Sequence, residues 1–237
     1  TFGANGSVIL VSDSAAVVSK ELAFEYVARG SISGLSPSSG SEGTRVVIAG
    51  TNLLSGGSSV SSVMLAGSSV TSVESFSATE IVVIAGSRMS GGSGDVEITS
   101  NTGSTTIQSS GFTYITPPVI SSVSPVSGQV GTVVTISGSN LRCGGSNVTS
   151  VTLKGVSVRS IESESDSEVV VVAAIGTSGS GDVVIVADSS AFVEKTNGFA
   201  YISQGSISSV SPVSGQQGSV VIISGSNLLG GDSVLSS

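Results

Sequence analysis

One stretch of this sequence occurs three times. SISGLSPSSGSEGTRVVIAGTNL begins at Ser31, ISSVSPVSGQVGTVVTISGSNL at Ile120 and SISSVSPVSGQQGSVVIISGSNL at Ser206. The prolines within it, Pro37, Pro125 and Pro212, stand 88 and then 87 residues apart. A second block keeps the same spacing: GSVILVSD from Gly6, GDVEITSN from Gly94 and GDVVIVAD from Gly181. So do three aromatic pairs, Phe24/Tyr26, Phe112/Tyr114 and Phe199/Tyr201. Three markers sharing one period define a tandem array in which each repeat is one structural unit. The register gives two complete units, residues 30–117 and 118–204. Before them, residues 1–29 read as the C-terminal part of a unit, and after them residues 205–237 read as the N-terminal part of another.

Roughly a quarter of the residues are Ser and 32 are Gly, a composition that by itself would point to disorder. Yet 38% are hydrophobic and the mean hydropathy is +0.46, with the apolar residues grouped in short Val/Ile-rich bursts between Gly, Ser and Asn clusters. That is the pattern of strands and turns. In the first complete unit the pattern predicts strands at Ser31–Leu35, Arg45–Ala49, Val63–Ala66, Val70–Val73, Ile81–Ala85, Val96–Thr99 and Phe112–Ile115, with a loop over Thr51–Ser59. About seven short strands with turn signals every 8–12 residues predict an all-β, antiparallel sandwich. No window holds a 3.6-residue apolar period, so almost no helix is expected. A unit of this length can hold its own core without disulfides.

The opening pattern I-x-x-x-S-P-x-S-G-x-x-G-T/S-x-V-x-I-x-G-x-N-L is complete in all three copies, and G-D-V-x-I followed by F-x-Y closes the unit. These marks resemble the IPT/TIG family, an immunoglobulin-like fold found in plexins, in Rel-type transcription factors and in many surface proteins. The resemblance implies tandem immunoglobulin-like sandwiches. It implies no catalytic residue, because the family shares no catalytic site. Its transcription-factor branch binds DNA through basic loops, which this chain lacks.

The residues themselves exclude most chemistry. With no His there is no Ser/His/Asp triad, no HExxH zinc site and no imidazole base. A single cysteine, Cys143, excludes Cys-rich metal sites and an intrachain disulfide, leaving only pairing outside this sequence. Gly-Ser-Gly-Asp-Val at Gly92 and Gly179 lacks the Gly-Lys-Ser/Thr ending of a phosphate loop, so a tight turn entering a strand is expected there. The acidic run Glu162–Glu168 has no EF-hand spacing and reads as a solvated hairpin rather than a calcium site. Asn52, Asn140 and Asn227 read as turn formers, and the closing Phe and Tyr residues as core. The expectation is therefore no enzyme, no cofactor and no metal.

Two sequons remain, Asn5-Gly-Ser and Asn147-Val-Thr, both in expected surface loops. N-glycans are expected at Asn5 and Asn147, and O-glycans on exposed Ser and Thr. The net charge is −8, with eight Lys and Arg scattered singly, so nucleic acid is not an expected partner. No apolar run approaches the ~20 residues of a membrane-spanning helix, and direct membrane insertion of this segment is not expected. The two end pieces together lack the middle strands corresponding to Val63–Arg88. Either the sequence is a window on a longer array, or other chains complete the half-units by strand addition and link subunits head to tail. The second possibility leads to the main expectation: an extracellular structural protein self-associating into a glycosylated fibre or surface layer. The alternative is a cell-surface adhesin or receptor ectodomain binding protein or carbohydrate. A third class is an accessory domain of an extracellular enzyme.

Overall fold

The computed structural model describes Gly3 and residues 5–230, and these contain strands and turns but no helix. They divide into two compact units, Thr1–Ile115 and Thr116–Ser237.

The first unit opens with a hairpin, β1 (Asn5–Val11) and β2 (Val17–Glu25). A complete sandwich follows: β3 (Ser31–Ser36), β4 (Ser39–Gly40), β5 (Arg45–Thr51), β6 (Val60–Leu65), β7 (Ser68–Ser69), β8 (Ser72–Phe76), β9 (Glu80–Ile84), β10 (Gly92–Ser100) and β11 (Thr105–Tyr114). One sheet has the order β3-β5-β9-β8 and the other β4-β11-β10-β6-β7. The second unit repeats this plan with β12 (Val119–Ser124), β13 (Ser127–Gly128), β14 (Val133–Ser139), β15 (Val148–Leu153), β16 (Val156–Ser157), β17 (Ser160–Glu164), β18 (Glu168–Val172), β19 (Gly179–Ala187) and β20 (Phe192–Tyr201). Its sheets are ordered β12-β14-β18-β17 and β13-β20-β19-β15-β16. The unit ends in a hairpin of β21 (Ser206–Ser211) and β22 (Ile222–Ser226).

Alternation places the core. Along β5, Val46 and Ile48 are buried while their neighbours are not, the period-2 signature of a half-buried strand. They meet Val63 and Leu65 of β6, Val96 and Ile98 of β10, and Phe112 and Tyr114 of β11 in one cluster. The second sandwich builds its own cluster from Val134, Ile136, Val151, Leu153, Val183, Ile185, Phe199 and Tyr201. The aromatic pairs pack edge-on, with centroids 5.1 Å apart for Phe112/Tyr114 and 5.2 Å for Phe199/Tyr201. These two pairs are core residues, as the sequence indicates, whereas Phe24 and Tyr26, read the same way, are exposed at the end of the β1–β2 hairpin.

Four details differ from the sequence reading. The sandwich is not wholly antiparallel: β4 pairs with β11 in parallel, and β13 with β20 likewise. The chain changes sheets at the Ser-Pro turn, where the Ser36–Pro37 and Ser124–Pro125 bonds are cis. Val70–Val73 is not one strand. Val70 donates its N–H to Val63 of one sheet, while Thr71 donates to Ile84 of the other, so the chain crosses over between β7 and β8. Strand β11 runs back to Thr105 through the polar stretch Gln108–Gly111, whose lack of apolar residues hides it from a pattern search. Finally, Gly-Ser-Gly-Asp-Val is not a turn but the body of β10 and β19. The register slips at Gly94/Val96 and Gly181/Val183, so each Asp sits at a β-bulge. There Asp95 accepts the N–H of Ser110 at 2.9 Å and Asp182 that of Asn197 at 2.8 Å. Ser110 and Asn197 both have φ 51, and each recurring Asp thus holds a left-handed residue of the facing strand.

Candidate functional site

The acidic run is the first place to look for a ligand, and the carboxylates of Glu162, Glu164 and Asp166 are already engaged. It forms the β17–β18 turn, closed by Ser165, whose Oγ accepts the N–H groups of Ser167 and Glu168. The Glu164 carboxylate meets the Arg142 guanidinium at 3.1 and 3.3 Å and accepts the Val148 N–H at 2.9 Å. Asp166 accepts the N–H of Arg142. Among the described residues no three Asp, Glu, Cys or His side chains are grouped to hold a metal. Two open clefts, of about 410 and 240 Å³, lie beside the linker residues Val27–Arg29 and beside Gln129–Thr132, and neither gathers convergent charged groups. No helix among the described residues is long and apolar enough to cross a membrane.

The recurring asparagines do more than turn the chain. Asn52, Asn140 and Asn227 have φ of 48, 52 and 50, the left-handed conformation Asn tolerates. In addition, Asn140 Nδ2 donates to the carbonyl of Thr116 at 2.8 Å, and Asn227 Nδ2 to that of Ser203 at 3.3 Å. Each therefore ties down the linker that precedes its own repeat.

The sequon asparagines lie in different units. Asn5 is exposed at the start of β1, opposite Glu25. Asn147 is exposed in the bend before β15, where its carbonyl accepts the Asp188 N–H at 3.0 Å.

Cys143 is fully buried in the second core, with its Sγ 3.5 Å from the Leu141 carbonyl. Burial pushes its thiol up to about 12, with the Asp166 carboxylate adding to the effect. Pairing with an outside cysteine would require this position to open. Cys143 is thus expected to resist a thiol reagent in the native chain and to react at once in denaturant. Because an unfolded thiol ionises near pH 9 while the folded one keeps its proton, stability is expected to fall as pH rises from about 9 to 12. Cys143→Ala flattens that fall in melts recorded against pH. Rapid native labelling would contradict the burial.

Two substitutions between the repeats are coupled, and the sequence register could have revealed both. Cys143 stands where the first repeat has Ser55, and Val193 where it has Thr106. In the first sandwich Ser55 and Thr106 share a buried hydrogen bond of 3.0 Å, whereas in the second both positions are apolar. Likewise Arg142 and Glu164 stand where the first repeat has Leu54 and Phe76. Facing positions have changed together, as close packing and paired polar groups demand.

Comparison with known proteins agrees with this architecture. The IPT/TIG domain model matches residues 31–114 and again 118–201. No curated protein matches. Among solved structures, the full extracellular region of plexin A4 aligns at 26% identity and a TM-score of 0.51, over 81% of this chain and 17% of that one. A second structure of that region aligns at 25% identity and a TM-score of 0.47, over 77% of this chain and 19% of the other. A surface glycan-binding protein from the mixed-linkage glucan utilization locus of Bacteroides ovatus aligns at 17% identity and a TM-score of 0.32, over 85% and 53%. With the family pattern matched in tandem across both sandwiches, the chain belongs to the IPT/TIG domain family.

Proposed function

We propose that this chain is a length of cell-surface or extracellular ectodomain, of receptor or adhesin type. Its tandem sandwiches set spacing and orientation and present faces to a protein partner, without catalysis. The observation that carries the reading is the likeness to the plexin A4 extracellular region over 81% of this chain. The engaged carboxylates and the absence of His from the sequence fit a non-catalytic role. N-glycans at the exposed Asn5 and Asn147, with O-glycans on surface Ser and Thr, belong to the same proposal. An antibody to this chain should label intact, unpermeabilised source cells or their secreted matrix, and labelling only after permeabilisation would sink the reading. Mass spectrometry of native material should find glycan on Asn147, and an unmodified Asn147 there would remove the glycan part.

A further inference from the structure

The segment leaving β20 is held from two sides. Asn227, just after β22, grips the Ser203 carbonyl. From the opposite side, the Gly205 N–H donates to Gln129 Oε1 at 2.7 Å. Gln129 lies in the turn after β13, which is itself closed: the Gln129 N–H donates to Thr132 Oγ1 at 3.0 Å and the Thr132 N–H to the Gln129 carbonyl at 3.1 Å. The side chain thus projects from a fixed base.

Its other amide end lies in the space that a side chain on Gly230 would enter. A Cβ on Gly230 would lie 2.7 Å from Gln129 Nε2. Gly230 has φ +63, yet conformation alone does not demand glycine there. Ser55 and Cys143 occupy the same repeat position with φ of 45 and 51, and both are buried in their own sandwiches. What separates Gly230 from them is the approach of Gln129. A cleft of about 240 Å³ between Gln129–Thr132 and Leu228–Gly230 completes the contact, with Val130, Leu228 and Leu229 at its rim.

We propose that the Gln129–Thr132 turn is a docking surface for the Asn-Leu-Leu-Gly loop, Asn227–Gly230, of the repeat that follows it. Gln129 is the positioning residue of this joint. One end of its amide holds the linker at Gly205, and the other fills the space left open by Gly230. The joint is therefore specified by a Gln/Gly pair as well as by linker length. This holds whether the array is an ectodomain or a fibre.

Amide hydrogen exchange, read by NMR on the whole chain, tests the assignment. Gln129→Ala should speed exchange of the Gly205 amide about tenfold, the worth of one hydrogen bond, and increase motion of the hairpin in relaxation data. The melting of the second sandwich should stay unchanged, since Gln129 is not part of its core. Gly230→Ala should speed Gly205 exchange comparably by displacing the Gln129 side chain. The double variant should be no faster than Gln129→Ala alone. Two results would overturn the proposal: Gly205 exchange within twofold of the parent in Gln129→Ala, or effects of the two variants that multiply independently.

Discussion

Phe199→Ala is expected to destabilise the second sandwich by about 3–5 kcal/mol. That loss is comparable with the whole stability of a small domain, about 5–15 kcal/mol. Phe199 is 1% exposed, sits on β20 beside β19, and packs edge-on against Tyr201. Around it lie Val183 and Ile185 of β19 and Leu153 of β15, all fully buried. Side chains held within two hydrogen-bonded sheets cannot collapse into the space of a lost ring, so a cavity term adds to the lost transfer energy. Each kcal/mol should move the melting temperature of a domain this size by about 4–8 °C. The melt should therefore lose its second-sandwich transition or shift it by more than about 10 °C. Phe24→Ala is the internal control. At the same repeat position Phe24 is 55% exposed, and its removal should cost well under half as much. A Phe199 loss below about 1 kcal/mol would mean that the core is looser than a close-packed interior.

That contrast shows what a repetitive sequence can and cannot convey. The period fixes Phe24, Phe112 and Phe199 as equivalent, and alternation identifies Val46, Ile48, Val134 and Ile136 as inward-facing. Burial is a different quantity. It depends on which sheets lie opposite, and no local pattern reports that. The same reason hid the sheet crossings. Val70 and Thr71 look like one β-branched run, but they bond to opposite sheets because the chain turns a corner between them. Two-residue strands such as Ser39–Gly40 carry no hydrophobic signal at all and exist only through a parallel neighbour distant in sequence. At the candidate site, the carboxylates of Glu162–Glu168 were visible as a run. Their engagement was not, because Arg142 lies 22 residues before Glu164 in the chain. The coupled pairs were within reach of the sequence. They appear once the repeats are aligned position by position and changes, rather than identities, are sought. Gln129 shows the limit of that approach, since its partners Gly205 and Gly230 have no side chains to mark them.

Glu164→Ala is expected to cost about 2–4 kcal/mol, more than a surface ion pair supports, because it strands two groups at once. The Glu164 and Arg142 side chains are only 19% and 32% exposed. Removing the carboxylate leaves the guanidinium partly desolvated without its bidentate partner and deprives the Val148 N–H of its acceptor. The Arg45–Glu74 pair in the first sandwich is 47% and 41% exposed and makes one contact at 2.8 Å. Its loss should cost under about 1 kcal/mol. The two pairs thus calibrate each other in the same chain. The first repeat also supplies the compensating change, since Leu54 and Phe76 occupy the positions of Arg142 and Glu164. Glu164→Phe alone keeps the stranded guanidinium, and Arg142→Leu alone keeps a stranded carboxylate. The double variant removes both charges and restores an apolar pair. A double-mutant cycle should therefore show a coupling of about 1–3 kcal/mol, with the double variant more stable than either single one. Only the Val148 N–H stays uncompensated, which keeps the double variant slightly below the parent. Raising salt should weaken the parent more than the double variant, because only the parent has the Arg142–Glu164 attraction to screen. Strictly additive losses would mean that the two positions changed independently and that the aligned repeats do not report contacts.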